Sequence, residues 1–190
     1  FLKKLENQGK KISLSVNISP KDFYYLDLYR EFMGLVKEYD ISPAGLKLEI
    51  TESAVIMDVP KQAALIEKLQ AEGFVVEMDD FGSGYSSLNT LKDIPVDILK
   101  LDMKFMEKSK NTKRSADIVQ MVVAMADKLG MPVIAEGVET KEQADFLGRI
   151  GCDIIQGYYY AKPMSMEEFE QLLNKYPYRD IVQKGIGNDI

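Results

Sequence analysis

Short apolar runs alternate along the chain with longer segments in which apolar residues recur every three or four positions. Such runs predict β-strands, and such segments predict amphipathic α-helices. The alternation continues to residue 175 without a low-complexity linker, so we predict one domain, residues 1–176, and a C-terminal tail, residues 177–190. The predicted strands are ISLSVN (12–17), LKLEI (46–50), FVVEM (74–78), DILKL (97–101), PVIAE (132–136) and DIIQG (153–157). The predicted helices are LYREFMGLVKEY, PKQAALIEKLQAEG, SSLNTLKD, SADIVQMVVAMADKLG, TKEQADFLGRIG and SMEEFEQLLNKY.

Polar residues at the strand ends indicate how these units are arranged. Strands that are apolar on both sides and joined by helices predict a parallel sheet, either open or closed into a barrel. In an open sheet, a ligand at the switch point meets mainly two or three strand ends, whereas a closed barrel brings every carboxyl end to one rim. All six strands carry such residues, which favours an α/β fold of the TIM-like (β/α) barrel type. They are Asn17, Glu49, Asp79, Asp80, Lys100, Asp102, Glu136 and Gln156.

The number of units is lower than in a complete barrel, which has eight and typically about 250 residues. We therefore expect about six of the eight βα units in this chain. The first residues, FLKKLENQG, have the pattern of the end of a helix, so the expected shortfall lies on the N-terminal side. A sheet that is not closed has two unpaired edges, and we expect apolar side chains to be exposed there.

Composition narrows the classes of function. Of the 190 residues, 46% are hydrophobic and no apolar run approaches the roughly 20 residues of a membrane span. The N-terminus lacks the apolar centre of a signal peptide, so we expect a cytoplasmic domain that makes no membrane contact. The net charge of −6 makes a DNA or RNA polymer an unfavourable partner, because non-specific affinity comes from basic residues that neutralise phosphates.

The absence of histidine restricts the chemistry further. The usual general base and the commonest zinc ligand are missing, so a metal would be held by oxygen, which favours magnesium, manganese or calcium. The single cysteine, Cys152, lies in the apolar context GCDII and is interpreted as a small buried residue.

Adjacent Asp79 and Asp80 are the most unusual feature of these strand ends. Carboxylates that converge on one rim repel each other unless cations lie among them. Two hard cations would explain the pair, because one carboxylate can bridge the ions while its neighbour binds one of them. The alternative is that Asp80 caps the following turn and Asp79 pairs with Lys100. Lys100 itself could orient a water, stabilise an oxyanion or balance charge, and Glu52 could hold the next loop in place.

The motifs VNISP, LEITES, DDFGSGYSSL, ILKLD, IAEGVET and QGYYYAKP resemble, in order and spacing, those of the EAL domain family, the cyclic di-GMP-specific phosphodiesterases. The resemblance covers about residues 11–170. It implies hydrolysis of cyclic di-GMP to linear pGpG with Mg²⁺ or Mn²⁺ at a two-metal site.

The resemblance also implies a role for each matching residue. Asn17, Glu49 and Asp79 look like ligands of one metal, and Asp79 or Asp80 with Glu136 look like ligands of the second. Lys100 resembles the lysine that contacts and helps to activate the attacking water. Gln156 resembles the glutamine near the scissile phosphate, Glu52 the glutamate that anchors the loop after DDFG, and Asp102 a further acidic residue of the site.

Two departures from the family pattern stand out. The Glu-Ala-Leu segment, whose glutamate is a metal ligand in the family, is absent from the chain, as is the arginine that follows it and contacts substrate. Ser83 replaces the more usual threonine, which is a conservative change.

Three other functions remain open on the sequence. They are a receptor that binds cyclic di-GMP without cleaving it, a Mg²⁺-dependent barrel enzyme of enolase type, and a structural or dimerisation module. A homodimer and an upstream sensory or cyclase-type domain are further expectations.

Overall fold

Six strands form the framework in the computed structural model, which describes residues 1–55, 58–82, 87–103, 112–152 and 154–175. Each strand lies where the sequence predicts one, and no end is displaced by more than two residues. The predicted tail 177–190, Ser83 and Gly84 lie outside the described residues. The strands are β1 (Leu14–Ile18), β2 (Leu46–Thr51), β3 (Val75–Asp79), β4 (Ile98–Asp102), β5 (Val133–Glu136) and β6 (Ile154–Ile155).

The six strands form one parallel sheet in the order β1-β2-β3-β4-β5-β6. Each strand lies beside its neighbour in sequence, so the order never reverses as it does in a doubly wound sheet. The sheet is also strongly curved. Ser15 on β1 reaches Glu77 on β3 across the intervening strand, with 2.9 Å between Ser15 Oγ and Glu77 Oε2. Strands two positions apart are about 10 Å apart in a flat sheet, so this contact requires a concave inner face. The TIM-like barrel wall predicted from the sequence is confirmed.

Helices cover the convex face of the sheet. On α3, Leu28, Phe32 and Val36 are buried one turn apart, and Phe32 packs edge-on against Phe74 with ring centroids 6.0 Å apart. A 3₁₀-helix (Pro43–Gly45) precedes β2. The helices are α1 (Leu2–Asn7), α2 (Asp22–Tyr25), α3 (Leu28–Tyr39), α4 (Glu52–Val55), α5 (Val59–Ala71), α6 (Ser87–Asp93), α7 (Thr112–Lys128), α8 (Lys141–Arg149) and α9 (Met166–Lys175).

Strand β2 corrects one expectation, that the strands are apolar on both sides. Its buried residues Leu46, Leu48 and Ile50 alternate with the less buried Lys47 and Glu49. Because successive side chains of a strand point to opposite faces, the apolar set packs on the helices and the polar set faces the barrel interior. The core therefore lies mainly between sheet and helices, and the interior face of β2 is polar.

Apolar side chains are exposed at both edges of the sheet. Leu14 and Val16 on β1 are 36% and 37% exposed, and Ile154 on β6 is 45% exposed. This agrees with the expectation of exposed apolar residues at unpaired edges. In the described ranges, no helix has the length and apolarity that a membrane crossing requires.

Gly157 holds the end of β6 against the segment that follows β5. The Val138 N–H donates to the carbonyl of Gln156 at 3.2 Å, and the Tyr159 N–H donates to the carbonyl of Val138 at 3.0 Å. A Cβ on Gly157 would lie 2.7 Å from the Val138 carbonyl carbon and closer still to the backbone N and O of Val138. Backbone atoms cannot move aside as a side chain can, so this contact admits only glycine.

We expect Gly157→Ala to lower the free energy of unfolding by about 1–3 kcal/mol, because the added methyl group must push two backbone segments apart. Gly148→Ala is the matched control, since a Cβ there meets nothing within 4 Å and the position lies in α8. The control should be neutral or stabilising by up to about 1 kcal/mol. Urea unfolding of both variants measures the difference, and equal stability would mean that the close approach is not rigid.

Candidate active site

Six of the residues predicted to form a site face the concave side of the sheet at its C-terminal rim, namely Asn17, Glu49, Asp79, Lys100, Asp102 and Glu136. The register places Asn17 beside Glu49 and Asp102 beside Glu136. Neighbouring residues of parallel strands point to the same face, so each pair lies side by side on the inner wall. Asn17 is exposed, whereas Glu49 and Glu136 are 11% and 20% exposed.

The Lys100 ammonium is the centre of this rim. The side chain is 4% exposed, and its Nζ lies 2.7 Å from Glu49 Oε1 and 2.8 Å from Glu136 Oε1. Asp79 Oδ1 is farther away, at 3.7 Å. The structure therefore brings carboxylates of three strands, β2, β3 and β5, around one buried cation on β4.

These contacts determine the protonation of Lys100. Burial opposes its charge, but the hydrogen bonds to Glu136 and Glu49 and the charge of Asp79 prevail and hold the Lys100 pKa above its usual range. Burial raises the pKa of Glu136; the hydrogen bond from Lys100 partly offsets this, and the charges of Asp79 and Glu49 add to the rise. Lys100 is consequently a firmly charged hydrogen-bond donor at neutral pH.

The turn after β3 fixes the direction of Asp79. The Asp80 N–H donates to Asp79 Oδ1 at 2.9 Å, and the Phe81 N–H donates to the carbonyl of Lys100 at 3.2 Å. Asp80 is exposed and has a φ of 55°, a left-handed conformation that aspartate and asparagine adopt more readily than most residues. The Asp79–Lys100 pairing considered from the sequence is thus present, but Glu49 and Glu136 lie nearer to the same nitrogen.

The remaining predicted residues surround this cluster. Gln156 follows β6 and lines the same interior cavity as Lys100 and Glu49. Asp102 ends β4, and its Oδ1 would lie only 3.3 Å from a Cβ on Gly137, which has a φ of +71°. Glu52 is 3% exposed and begins α4 directly after β2, so it is buried beside the rim rather than at a strand end.

Sequence reasoning missed a second layer of charge deeper in the barrel. Glu77 is 1% exposed on β3 and forms an ion pair with Lys47 on β2, with 2.8 Å between Lys47 Nζ and Glu77 Oε1. Both residues, with Ser15, line a cavity of about 350 Å³ that reaches Lys100 and Glu49. The signal was present in the sequence, because Glu77 interrupts the apolar run FVVEM and Lys47 interrupts LKLEI.

The donor set of the rim is suited to a hard metal ion. It offers carboxylate and amide oxygens, the ligands that Mg²⁺ and Mn²⁺ accept, and the carboxylates of Glu49 and Glu136 already converge on one cation, the Lys100 ammonium. Among the described residues, no three Asp, Glu or Cys side chains are grouped closely enough to hold a metal ion as they stand. A metal ion bound by Glu49 or Glu136 would share these oxygens with the Lys100 ammonium.

Comparison with known proteins identifies the family. The EAL domain profile matches residues 1–163, and the chain belongs to this family. It is 36% identical to the cyclic di-GMP phosphodiesterase RocR of Pseudomonas aeruginosa over 167 residues. The aligned region covers 88% of this chain and 43% of RocR. The chain thus spans less than half the length of this curated relative.

Two of the solved structures that match illustrate the similarity of the fold. The crystal structure of the EAL domain of Mycobacterium smegmatis DcpA has a TM-score of 0.84 and 36% identity, covering 92% of this chain and 79% of that one. The manganese/cy-diGMP complex of Klebsiella pneumoniae BlrP1 at pH 6 has a TM-score of 0.73 and 30% identity, covering 80% of this chain and 39% of that one. The first confirms the barrel assignment over nearly the whole chain.

We expect Lys100→Met to destabilise the metal-free protein by about 3–5 kcal/mol near neutral pH, because it leaves three carboxylates facing one another without their cation. The loss should shrink near pH 5. Burial raises the pKa of Glu136, and without Lys100 the hydrogen bond that partly offsets this rise is lost. The folded variant therefore takes up a proton at higher pH than the unfolded chain does and gains stability relative to wild type as the pH falls.

Urea unfolding in the presence of EDTA at the two pH values measures this effect. Lys3→Met is the matched control, because it removes a surface ion pair with Asp40 whose partners are 39% and 90% exposed. The control should change stability little, because exposed ion pairs contribute little to folding. An equal loss for Lys100→Met at both pH values would indicate that the lysine contributes packing rather than charge.

Proposed function

We propose that this chain is a metal-dependent phosphodiesterase domain that hydrolyses cyclic di-GMP to linear pGpG in bacterial second-messenger signalling. The observation that carries the proposal is the convergence of Glu49, Asp79 and Glu136 on Lys100 at the C-terminal rim of a barrel. Barrel enzymes have their active sites at this rim. RocR, named a cyclic di-GMP phosphodiesterase, and BlrP1, solved with manganese and cy-diGMP, support the assignment of the substrate.

Two Mg²⁺ or Mn²⁺ ions would be held by Asn17, Glu49, Asp79, Asp80 and Glu136. Bound there, they would polarise the phosphate and lower the pKa of a water toward neutrality, so that histidine is not required. The exposure of Asn17 and Asp80 agrees with this role, because side chains that face solvent can turn toward an incoming ion or phosphate.

Lys100 would act as a hydrogen-bond donor to the attacking water and to the charge that develops at the phosphate. Its raised pKa keeps it charged, so it can stabilise negative charge but cannot remove a proton. Water adds to phosphorus at one phosphodiester, and the P–O bond to the leaving ribose oxygen breaks. The water oxygen stays on the new phosphate monoester, and a proton from the water ends on the ribose oxygen, which becomes a hydroxyl. Gln156 would contact the phosphate, Asp102 would contribute to substrate binding, and Glu52 would hold the loop after DDFG.

The contacts of Lys100 argue against the enolase-type alternative. In that chemistry, a lysine abstracts a proton and must be neutral, whereas in the metal-free protein Glu49, Asp79 and Glu136 surround Lys100 and favour its charged form. The receptor alternative uses the same residues for binding alone, so only a turnover measurement separates it from the enzyme.

Because the proposed substrate is an intracellular messenger, we place the activity in the cytoplasm. The homodimer stays a prediction.

The direct test is to incubate the purified protein with cyclic di-GMP and Mg²⁺ or Mn²⁺ and to separate the nucleotides by chromatography. We expect pGpG to accumulate in the presence of metal and no product with EDTA. If cyclic di-GMP binds measurably and stays intact at saturating metal, the domain is a receptor.

We expect Asp79→Asn and Asp80→Asn each to lower turnover a hundredfold or more, roughly the loss found when a single charge-stabilising group is removed. Both changes keep the shape of the side chain, so the melting temperature should change little. If Asp80 only shapes the turn, its variant would keep nearly normal turnover.

Asp40→Asn is the matched control for Asp80→Asn. In the described part of the chain, Asp40 and Asp80 are the two residues other than glycine with positive φ, at 49° and 55°. Asp40 ends α3 on the opposite side of the barrel from the rim. Its replacement tests the same substitution in the same backbone conformation and should leave turnover unchanged. A loss of turnover in both variants would point to backbone conformation rather than charge.

A further inference from the structure

Glu77 is a buried carboxylate to which the proposed mechanism gives no role. It lies on the inner face of β3, two residues before Asp79, and the register places it directly beside Glu49. At 1% exposure, a charged carboxylate is costly unless it is paired and hydrogen-bonded. Where a fold needs only to fill such a space, replacing a buried ion pair by apolar residues of similar size is often neutral or stabilising.

Both oxygens of Glu77 are occupied by neighbours from other strands. Oε1 lies 2.8 Å from Lys47 Nζ, and Oε2 accepts a hydrogen bond from Ser15 Oγ at 2.9 Å. The two contacts hold the carboxylate from β2 and from β1. Glu77 therefore binds a cation already, and that cation is Lys47.

The ion pair between Lys47 and Glu77 affects the rim because of where the Lys47 ammonium lies. Lys47 pairs in register with Val75, not with Glu77. To reach Glu77, its side chain leans toward the C-terminal ends of the strands, which brings the ammonium to the level of Glu49, the next residue on the same face of β2. Lys47, Glu49 and Lys100 line one cavity of about 350 Å³, which is space into which the Lys47 side chain could turn.

We infer that Glu77 is a positioning residue that holds Lys47 away from Glu49 and so keeps the Glu49 carboxylate available to a metal ion. Glu49 already contacts one ammonium, that of Lys100. A second ammonium at Glu49 would compete with a divalent cation for the same oxygens. The inference rests on the proposed function, because it concerns the metal affinity of the same rim.

A purely structural ion pair makes a different prediction. Breaking it would lower stability, but each molecule that remained folded would bind metal as before. The affinity for Mn²⁺, measured on folded protein, therefore distinguishes the two roles.

The experiment is a calorimetric titration of metal-stripped protein with Mn²⁺ alone, on wild type, Glu77→Gln and the double variant Lys47→Met/Glu77→Gln. We expect Glu77→Gln to weaken Mn²⁺ binding about tenfold, because the released ammonium then competes at Glu49. The double variant should bind within about twofold of wild type, because the competitor is gone and a buried pair replaced by neutral side chains is often tolerated. The double variant Lys3→Met/Asp40→Asn, which removes a surface pair, should bind as wild type does.

Wild-type affinity in Glu77→Gln would overturn the inference, as would equally weak binding by Glu77→Gln and the double variant. If Glu77→Gln does not fold, the double variant decides: Mn²⁺ binding like that of wild type supports the inference, and weak binding or failure to fold overturns it. If neither the wild-type protein nor Lys3→Met/Asp40→Asn binds Mn²⁺, the result contradicts the proposed function instead.

Discussion

The burial of the Lys100 ammonium among carboxylates of neighbouring strands is the interaction on which the rim depends. Glu49, Asp79 and Glu136 belong to three different strands, and without a shared cation their charges would drive the strand ends apart. The pairing also restricts the chemical roles that are open to Lys100. A lysine held in its charged form can orient a water and stabilise negative charge, and it cannot serve as a base. The proposed phosphodiester hydrolysis needs a group that orients water and stabilises negative charge, so the contacts that stabilise the rim also suit that reaction.

Curvature of the sheet makes that interaction possible. Lys100 on β4 reaches Glu49 on β2 across β3, as Ser15 on β1 reaches Glu77 across β2. Curvature shortens both distances, and the short Ser15 side chain in particular could not reach Glu77 on a flat sheet, where strands two positions apart are about 10 Å apart. The helices on the convex face maintain the curvature through the apolar residues of each strand. The tight approach of Gly157 to Val138 then fixes the position of Gln156 beside the same rim.

Charge inside the barrel is arranged in two layers with different tasks. In the lower layer, Lys47 and Glu77 balance each other, and Ser15 satisfies the remaining oxygen. In the upper layer, three carboxylates share the single ammonium of Lys100, which leaves an excess of negative charge. Of the two layers formed by the described residues, the upper one is therefore the one that attracts further cations. The separation requires that Lys47 stay with Glu77, since Glu49 lies on the same face of β2.

The sequence by itself determined the order and type of the elements, because the period of apolar residues reports directly on strands and helices. It also indicated the rim, because Glu49, Asp79, Lys100 and Glu136 each stand at the end of an apolar run in successive βα units. The family motifs then assigned the domain. Tertiary structure alone decided which of these groups touch and which cation they share, because those contacts join strands that are distant in sequence. It also revealed the Lys47–Glu77 pair, since a charged residue inside an apolar run has no visible partner until the sheet curves and brings one within reach.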